Sequence, residues 1–279
     1  MNNFLKELHR PAIMGILNVT PDSFSDGGQY NRPELALQQA LRMIDEGADI
    51  IDIGGESTRP GADAVSVDEE LERVIPVIES LRKDSDVVIS IDTSKAVVMR
   101  EAVHAGAGMI NDVAALAGEG AIEMAAATGV PVCLMHMQGE PRTMQQSPEY
   151  PRGVVQEVME YLLQRVEVAE RAGISRDNLV IDPGFGFGKT LQHNFQLLEG
   201  LAELQSIGLP VLVGMSRKSM IGKLLGVGLE DRLAGSLAAA VLAMERGASI
   251  FRVHDVAETR QALMVVSACQ DQGNPVTNH

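Results

Sequence analysis

The chain has 279 residues, a formal net charge of −15 and 45% hydrophobic content. That hydrophobic share excludes a disordered chain, the acidic balance argues against a general binder of nucleic acid or anionic membranes, and no apolar run approaches the ~20 residues of a membrane helix. The length fits one domain over residues 1–279, since an α/β barrel of about 250 residues is undivided.

In chain order, Met1 to Pro11 lacks a basic stretch followed by an apolar core, so no secretory leader is expected. Ala12–Leu17 is the first of eight short apolar runs, continuous and rich in β-branched residues, as parallel strands buried on both faces are. The others are Asp49–Ile53, Val87–Ile91, Ala107–Ile110, Val130–Met135, Leu179–Ile181, Leu209–Val213 and Ser249–Val253. Helical segments lie between them. Pro33 to Glu46 has helical periodicity with Pro in its first turn. Ser66-Val67-Asp68-Glu69 reads as a capping box, and Pro76 is expected to kink or restart the helix that follows. Tyr150 to Ala172 is long and strongly periodic, and Ala234 to Gly247 is Ala-rich, suited to close packing against a barrel or a neighbouring subunit. Gly47, Gly106, Gly129, Gly173, Gly208 and Gly247 stand where helix ends need a left-handed residue. Eight strands alternating with helices predict a (β/α)8 barrel, with an open doubly wound sheet as the alternative.

Two connections, Thr20 to Asn31 and Glu56 to Val67, are long, and both leave the C-terminal end of a strand, the catalytic face of such a barrel. The strand ends form a polar series: Asn18, Glu56 to Arg59, Asp92, Asn111 and Asp112, His136, Asp182, Ser216 to Ser219, then Arg252, His254 and Asp255. Any one of the acidic or amide residues reads as a helix cap. Eight ends converging on one rim read as a pocket. Arg252 and His254 alternate on one strand, so both side chains can point to the same side. Cys133 lies within a strand and reads as core, and two cysteines make no disulfide framework, which fits a reducing cytoplasm.

The stretch Met14-Gly-Ile-Leu-Asn18-Val-Thr-Pro-Asp22-Ser-Phe24-Ser-Asp26-Gly-Gly28 resembles the first signature of the dihydropteroate synthase family. Asp52-Ile-Gly-Gly-Glu56-Ser-Thr58-Arg59-Pro60-Gly61 resembles the second, and Asp92-Thr-Ser94, Asn111-Asp112, Asp182-Pro-Gly-Phe185-Gly-Phe187-Gly-Lys189, Ser216-Arg217-Lys218-Ser219 and Arg252-Val-His254-Asp255 continue the resemblance in order. It covers nearly the whole chain. It implies a TIM barrel that joins 6-hydroxymethyl-7,8-dihydropterin diphosphate to p-aminobenzoate, releasing dihydropteroate and diphosphate in folate synthesis. It further implies pterin binding by Asp92, Asn111, Met135, Asp182 and Lys218. Diphosphate is expected against Asn18, Arg252 and His254. For p-aminobenzoate the implied set is Phe24, Thr58, Arg59, Pro60, Phe187, Lys218 and Ser219. Mg²⁺ is expected on phosphate oxygens, waters and the Asn18 carbonyl oxygen.

Those roles suit the residue types. A carboxylate accepts two adjacent N–H groups of a pterin, an amide donates and accepts at once, and Arg presents a planar fork to phosphate. No covalent nucleophile stands out, so a dissociative reaction is expected. Arg252 and His254 stabilise the leaving diphosphate, and Asp92 or a loop acid, Asp22 or Asp26, stabilises the cation. Lys218 completes the catalytic set. The resemblance also implies sulfonamide inhibitors, which mimic p-aminobenzoate, and a homodimer with the Ala-rich helix as a plausible interface. Two other readings are a pterin-dependent methyltransferase of the same superfamily and a pterin-binding paralogue without turnover. His136 receives no role.

Overall fold

The computed structural model describes residues 4–7, 11–20, 32–57, 65–139, 144 and 147–270. Eight strands form one parallel sheet: β1 (Ala12–Asn18), β2 (Ile50–Gly54), β3 (Val88–Asp92), β4 (Met109–Asp112), β5 (Val132–Met135), β6 (Leu179–Asp182), β7 (Leu212–Val213) and β8 (Ile250–Val253). Their order, β6-β5-β4-β3-β2-β1-β8-β7, runs round a cylinder, and a parallel bridge between Ile181 and Val211 brings its two ends together. All eight predicted strands are present, each within a few residues of its predicted bounds. The open-sheet alternative is excluded by that bridge.

The connecting helices are α1 (Arg32–Asp45), α2 (Val67–Asp84), α3 (Ala96–Ala105), α4 (Ala121–Thr128), α5 (Val154–Arg171), α6 (Leu191–Glu199), α7 (Ser219–Leu225), α8 (Leu233–Glu245) and α9 (Val256–Gln270). The six predicted helix-ending glycines all have positive φ, from 69° at Gly129 to 120° at Gly106. Three local expectations change. Pro76 neither ends nor restarts α2, which is continuous from Val67 to Asp84 because Val74, Val77, Ile78 and Leu81 are buried along it. That packing outweighs one missing backbone hydrogen bond. The capping box is half made: Ser66 Oγ accepts from the Glu69 N–H at 3.2 Å, but the Glu69 carboxylate pairs with Arg73 instead. The helix predicted from Tyr150 begins only at Val154.

Strand alternation builds two cores. Ile51, Ile53, Ile89, Ile91, Ile110, Leu134, Ile181 and Phe251 face outward and pack under the helices. Ala12, Met14, Ile50, Met109, Cys133, Val180, Leu212 and Ile250 fill the barrel, and Leu5 of the N-terminal turn packs with them. Counting two residues on from these inward positions gives Asp52, Asn111, Met135, Asp182, Gly214 and Arg252; Val88 leads likewise to Ser90 and Asp92. The apolar filling therefore stops, and a polar layer begins, at the C-terminal end of the strands.

Candidate functional site

Arg252 sits at the centre of that layer. Its Nε donates to Asp52 Oδ2 at 2.6 Å and its Nη2 to Asp92 Oδ2 at 2.7 Å, joining β8 to β2 and β3 across the barrel. Asn111 Nδ2 on β4 also donates to Asp52 Oδ2, at 3.2 Å. Asp52 is fully buried, and its Oδ1 has no hydrogen-bond partner among the described residues. Burial raises the Asp92 carboxyl to about 7 against the opposing pull of Arg252; the nearby acids Asp52, Asp112 and Glu70 add to the rise. Arg252 is held above its ordinary value: burial opposes the charge, but Asp52 and Asp92 outweigh it.

Across the barrel, Asp182 ends β6, buried beside Met135 at the end of β5. Its Oδ1 accepts from the Gly184 N–H at 2.7 Å, which leaves Oδ2 and further lone pairs for a ligand. Burial raises its pKa, opposed by Lys218. Lys218, at the N-terminal boundary of α7, donates to the Phe185 carbonyl at 2.5 Å, and its Nζ lies 4.6 Å from the centre of the Phe187 ring. Burial lowers the Lys218 ammonium to about 8, against the opposing charge of Asp182. The lysine is presented by an unusual backbone: the preceding Arg217 has φ 54°. Its N–H donates to Ser236 Oγ at 2.9 Å, its carbonyl accepts from Arg232 at 2.8 Å, and its guanidinium grips Asp255 through two bonds. His254 follows β8 directly, with its backbone N–H and Nδ1 each 3.2 Å from Ser216 Oγ.

The strand-end residues expected from sequence thus share one mouth: Asp92, Asn111, Met135, Asp182, Lys218 and Arg252, with Phe187, Ser219 and His254 on its rim and Asn18 at the end of β1. Asp22, Phe24, Asp26, Thr58, Arg59 and Pro60 lie outside the described residues. Among those that are described, no group of three His, Cys, Asp or Glu side chains has metal-binding geometry. Both cysteines are free, Cys133 in the barrel filling and Cys269 exposed.

Three features escaped the sequence reading. Asp52 lies inside a quoted motif, yet only its place two residues beyond Ile50 reveals it as the anchor of Arg252 and Asn111. His136 and Lys189 meet, with Lys189 Nζ 3.0 Å from His136 Nδ1, a pairing between the end of β5 and the loop before α6, 53 positions apart. Lys95 bonds Glu56 at 2.5 Å and also the buried Glu70. Glu56 Oε1 accepts from the Val65 N–H at 3.2 Å, and Arg73 donates to the Gly55 carbonyl at 2.6 Å. Both ends of the second long connection are therefore fastened to α2 and α3.

Residues 14–254 match the pterin-binding enzyme family. The dihydropteroate synthase of Escherichia coli K12 is 58% identical over 262 residues, which cover 94% of this chain and 93% of that protein. The chain belongs to the dihydropteroate synthase family. Solved structures of the family superpose closely. The Yersinia pestis dihydropteroate synthase, in complex with a sulfonamide drug, has a TM-score of 0.90 at 56% identity and covers 95% of this chain and 96% of its own. The Xanthomonas albilineans dihydropteroate synthase with 4-aminobenzoic acid also reaches 0.90, at 55% identity, covering 96% and 95%. The TIM barrel read from the strand pattern is thus the fold of the dihydropteroate synthases as well.

Proposed function

We propose that this chain is a transferase that condenses 6-hydroxymethyl-7,8-dihydropterin diphosphate with p-aminobenzoate to give 7,8-dihydropteroate and diphosphate. The observation that carries the reading is one polar layer that holds Asp182, Asn111 and Lys218 together with Arg252, which shares Asp52 Oδ2 with Asn111, and with His254 just beyond β8. A flat heterocycle with paired donors and one carbonyl fits Asp182, Asn111 and Lys218, and a phosphate ester fits Arg252 and His254. Asp182 accepts the pterin amino and ring N–H groups, Asn111 reads its mixed edge, Met135 covers its face, and Lys218 donates to its carbonyl. Arg252, His254 and the Asn18 side chain take the diphosphate.

An arylamine is a weak nucleophile, and among the described residues no side chain is placed for covalent catalysis. The reaction therefore runs by departure of diphosphate first, with Arg252 and His254 stabilising the charge that develops on it. Asp92, ionised and beside the pterin, stabilises the positive charge left on the methylene and ring; Asp22 and Asp26 are further candidates. The amine then attacks from a site walled by Phe187, Lys218 and Ser219 together with Phe24, Thr58, Arg59 and Pro60, which also exclude water from the cation. The donor chemistry fits Mg²⁺: the Asn18 carbonyl oxygen is a hard neutral ligand, and an ion that keeps its waters and binds phosphate needs no protein cage. Bound there, Mg²⁺ would neutralise part of the diphosphate charge.

Sulfonamides, which mimic p-aminobenzoate, would occupy the same walls. The homodimer reading gains support from Leu224, Leu225, Leu242, Met264 and Val265, which are exposed on the neighbouring helices α7, α8 and α9. The cytoplasmic reading rests on the two free cysteines. No helix among the described residues is long and apolar enough to cross a membrane. A coupled assay with both substrates and Mg²⁺ tests the reading: dihydropteroate and diphosphate should appear in equal amounts. Pterin binding without turnover would favour a non-catalytic paralogue, and methyl transfer from a reduced folate a methyltransferase.

A further inference from the structure

Lys189 is 3% exposed and lies behind the pocket wall. Its Nζ contacts His136 Nδ1 at 3.0 Å and donates to the carbonyls of Gly184 at 2.9 Å and Phe187 at 3.0 Å. Three acceptors match the three protons of an ammonium, and none of them is a carboxylate; burial pushes Lys189 well below the ordinary lysine value, opposed by the charge of Asp182, so these three bonds and that charge are what favour its charged form. Accepting at Nδ1 requires a neutral His136 with its proton on Nε2; burial, with Lys189 adding to it, holds that histidine down at about 3.

The loop around the ammonium is shaped to fit it. Gly184, Gly186 and Gly188 have φ of 68°, 82° and 60°, a conformation that glycine adopts without strain. A Cβ on Gly184 would stand 1.9 Å from the His136 carbonyl oxygen, and one on Gly188 2.4 Å from that of Gln138. The loop is therefore pressed against the end of β5. The Tyr150 hydroxyl donates to the Gly188 carbonyl at 2.8 Å, and the Tyr161 ring meets His136 edge-on at 4.9 Å. Two functional groups hang from the residues whose carbonyls Lys189 holds. The Gly184 N–H orients the Asp182 carboxylate, and the Phe187 peptide carries the ring under Lys218.

We propose that Lys189, seated on His136, is a positioning residue for the arylamine: by fixing the Phe187 peptide relative to Gly184, it sets the distance from the Phe187 ring to the pterin-binding carboxylate. This rests on the functional reading above. The Phe187 N–H donates to the Gly184 carbonyl at 3.1 Å, and without the Lys189 bonds that single turn bond would be left to hold Phe187 and its ring, while Asp182 stays on its strand.

Lys189→Met keeps the length of the side chain and removes all three donors. The expected result is a KM for p-aminobenzoate raised about tenfold, with kcat and the Kd for pterin diphosphate within threefold of the parent. In a Phe187→Leu background the same substitution should raise KM by less than twofold, because the ring it positions is gone. In the ligand-free protein, amide exchange over residues 184–188 should quicken about tenfold while β3 is unaffected. His136→Leu, which leaves two of the three acceptors, should move KM in the same direction by at least threefold and serves if Lys189→Met does not fold. Unchanged KM, full additivity with Phe187→Leu, or unchanged exchange would overturn the proposal; a lowered thermal midpoint with parental KM would mark a merely structural lysine. Absence of turnover in the parent would instead sink the functional reading, and the exchange measurement tests the lysine's hold on the loop either way.

Discussion

Asp182 carries the sharpest residue-scale consequence of the site. One of its oxygens is committed to the Gly184 N–H, so the pterin must bond the other oxygen and the lone pairs that remain. Asp182→Asn turns one acceptor into a donor facing either Gly184 or the ligand. A mismatched buried pair costs about 1–3 kcal/mol, roughly a five- to hundredfold loss of pterin affinity. Calorimetry with pterin diphosphate measures it, and unchanged affinity would remove Asp182 from the role. Asp92 and Lys218 set the pH dependence. Burial raises Asp92 to about 7 and lowers Lys218 to about 8. Below about 7 the free enzyme holds Asp92 protonated, unable to offset the cation; above about 8 Lys218 loses the charge that draws the pterin carbonyl. The profile of kcat/KM should therefore be a narrow bell between those values, and Asp92→Asn should lower its height and erase the acid limb. An acid limb that survives in Asp92→Asn would assign it to another group. At this scale the sequence was legible wherever a polar residue ended an apolar run, as with Asp92, Asn111 and Asp182, and for Arg252, inside its run, through its alternation with His254. It was not legible for Asp52, whose neighbours on both sides are apolar, because only the closed barrel shows which strand positions face inward. Lys189 stayed hidden for a different reason: its partners are backbone carbonyls and a histidine 53 residues away.

At the scale of elements, burial on both faces and a glycine at helix ends made all eight strands readable, including β7, which pairs over only two residues. The strand pattern does not announce the lateral ties. Lys95, at the start of α3, joins Glu56 beyond β2 to Glu70 in the first turns of α2, and the Glu70 side chain is fully buried. Charges this far apart in sequence become partners only when α2 and α3 pack side by side. Removing the cation strands a buried carboxylate, and breaking such a pair costs about 3 kcal/mol. Lys95→Met should lower the thermal midpoint accordingly. It should also release Glu56 from one end of the second long connection, so KM for p-aminobenzoate should rise more than the Kd for pterin. Thermal unfolding and steady-state kinetics on the same preparation check both; a parental midpoint would show that the pair contributes little. Pro76 makes the complementary point, since a local rule for breaking helices gave way to a buried face along α2.

For the whole molecule, the division between barrel and connections dictates an order of binding. The residues proposed to hold pterin and diphosphate, Asp92, Asn111, Asp182, Lys218 and Arg252, are set by the strand ends and the start of α7, which exist before any ligand arrives. Of the residues proposed for p-aminobenzoate, Phe187, Lys218 and Ser219 belong to that frame; Phe24, Thr58, Arg59 and Pro60 come from the two long connections. A site built largely from connections is competent only in the conformers that bring them to the mouth, and its apparent affinity falls by the fraction of time they are there. Asp22, Asp26 and Arg59 supply charges on those same connections that can respond to bound diphosphate and Mg²⁺. The protein as a whole, at −15, repels both anionic substrates, so attraction must come locally. Labelled p-aminobenzoate should therefore bind the free protein weakly, and at least tenfold more tightly once pterin diphosphate, or diphosphate with Mg²⁺, is present. Phe24→Leu and Pro60→Ser should weaken p-aminobenzoate, and a sulfonamide still more where its extra bulk passes beyond the substrate's outline, while pterin affinity stays within about twofold. Equilibrium dialysis with and without the diphosphate ligand decides the matter. Equal affinity for p-aminobenzoate in both conditions would mean that the arylamine site is preformed and that the ordered scheme is wrong.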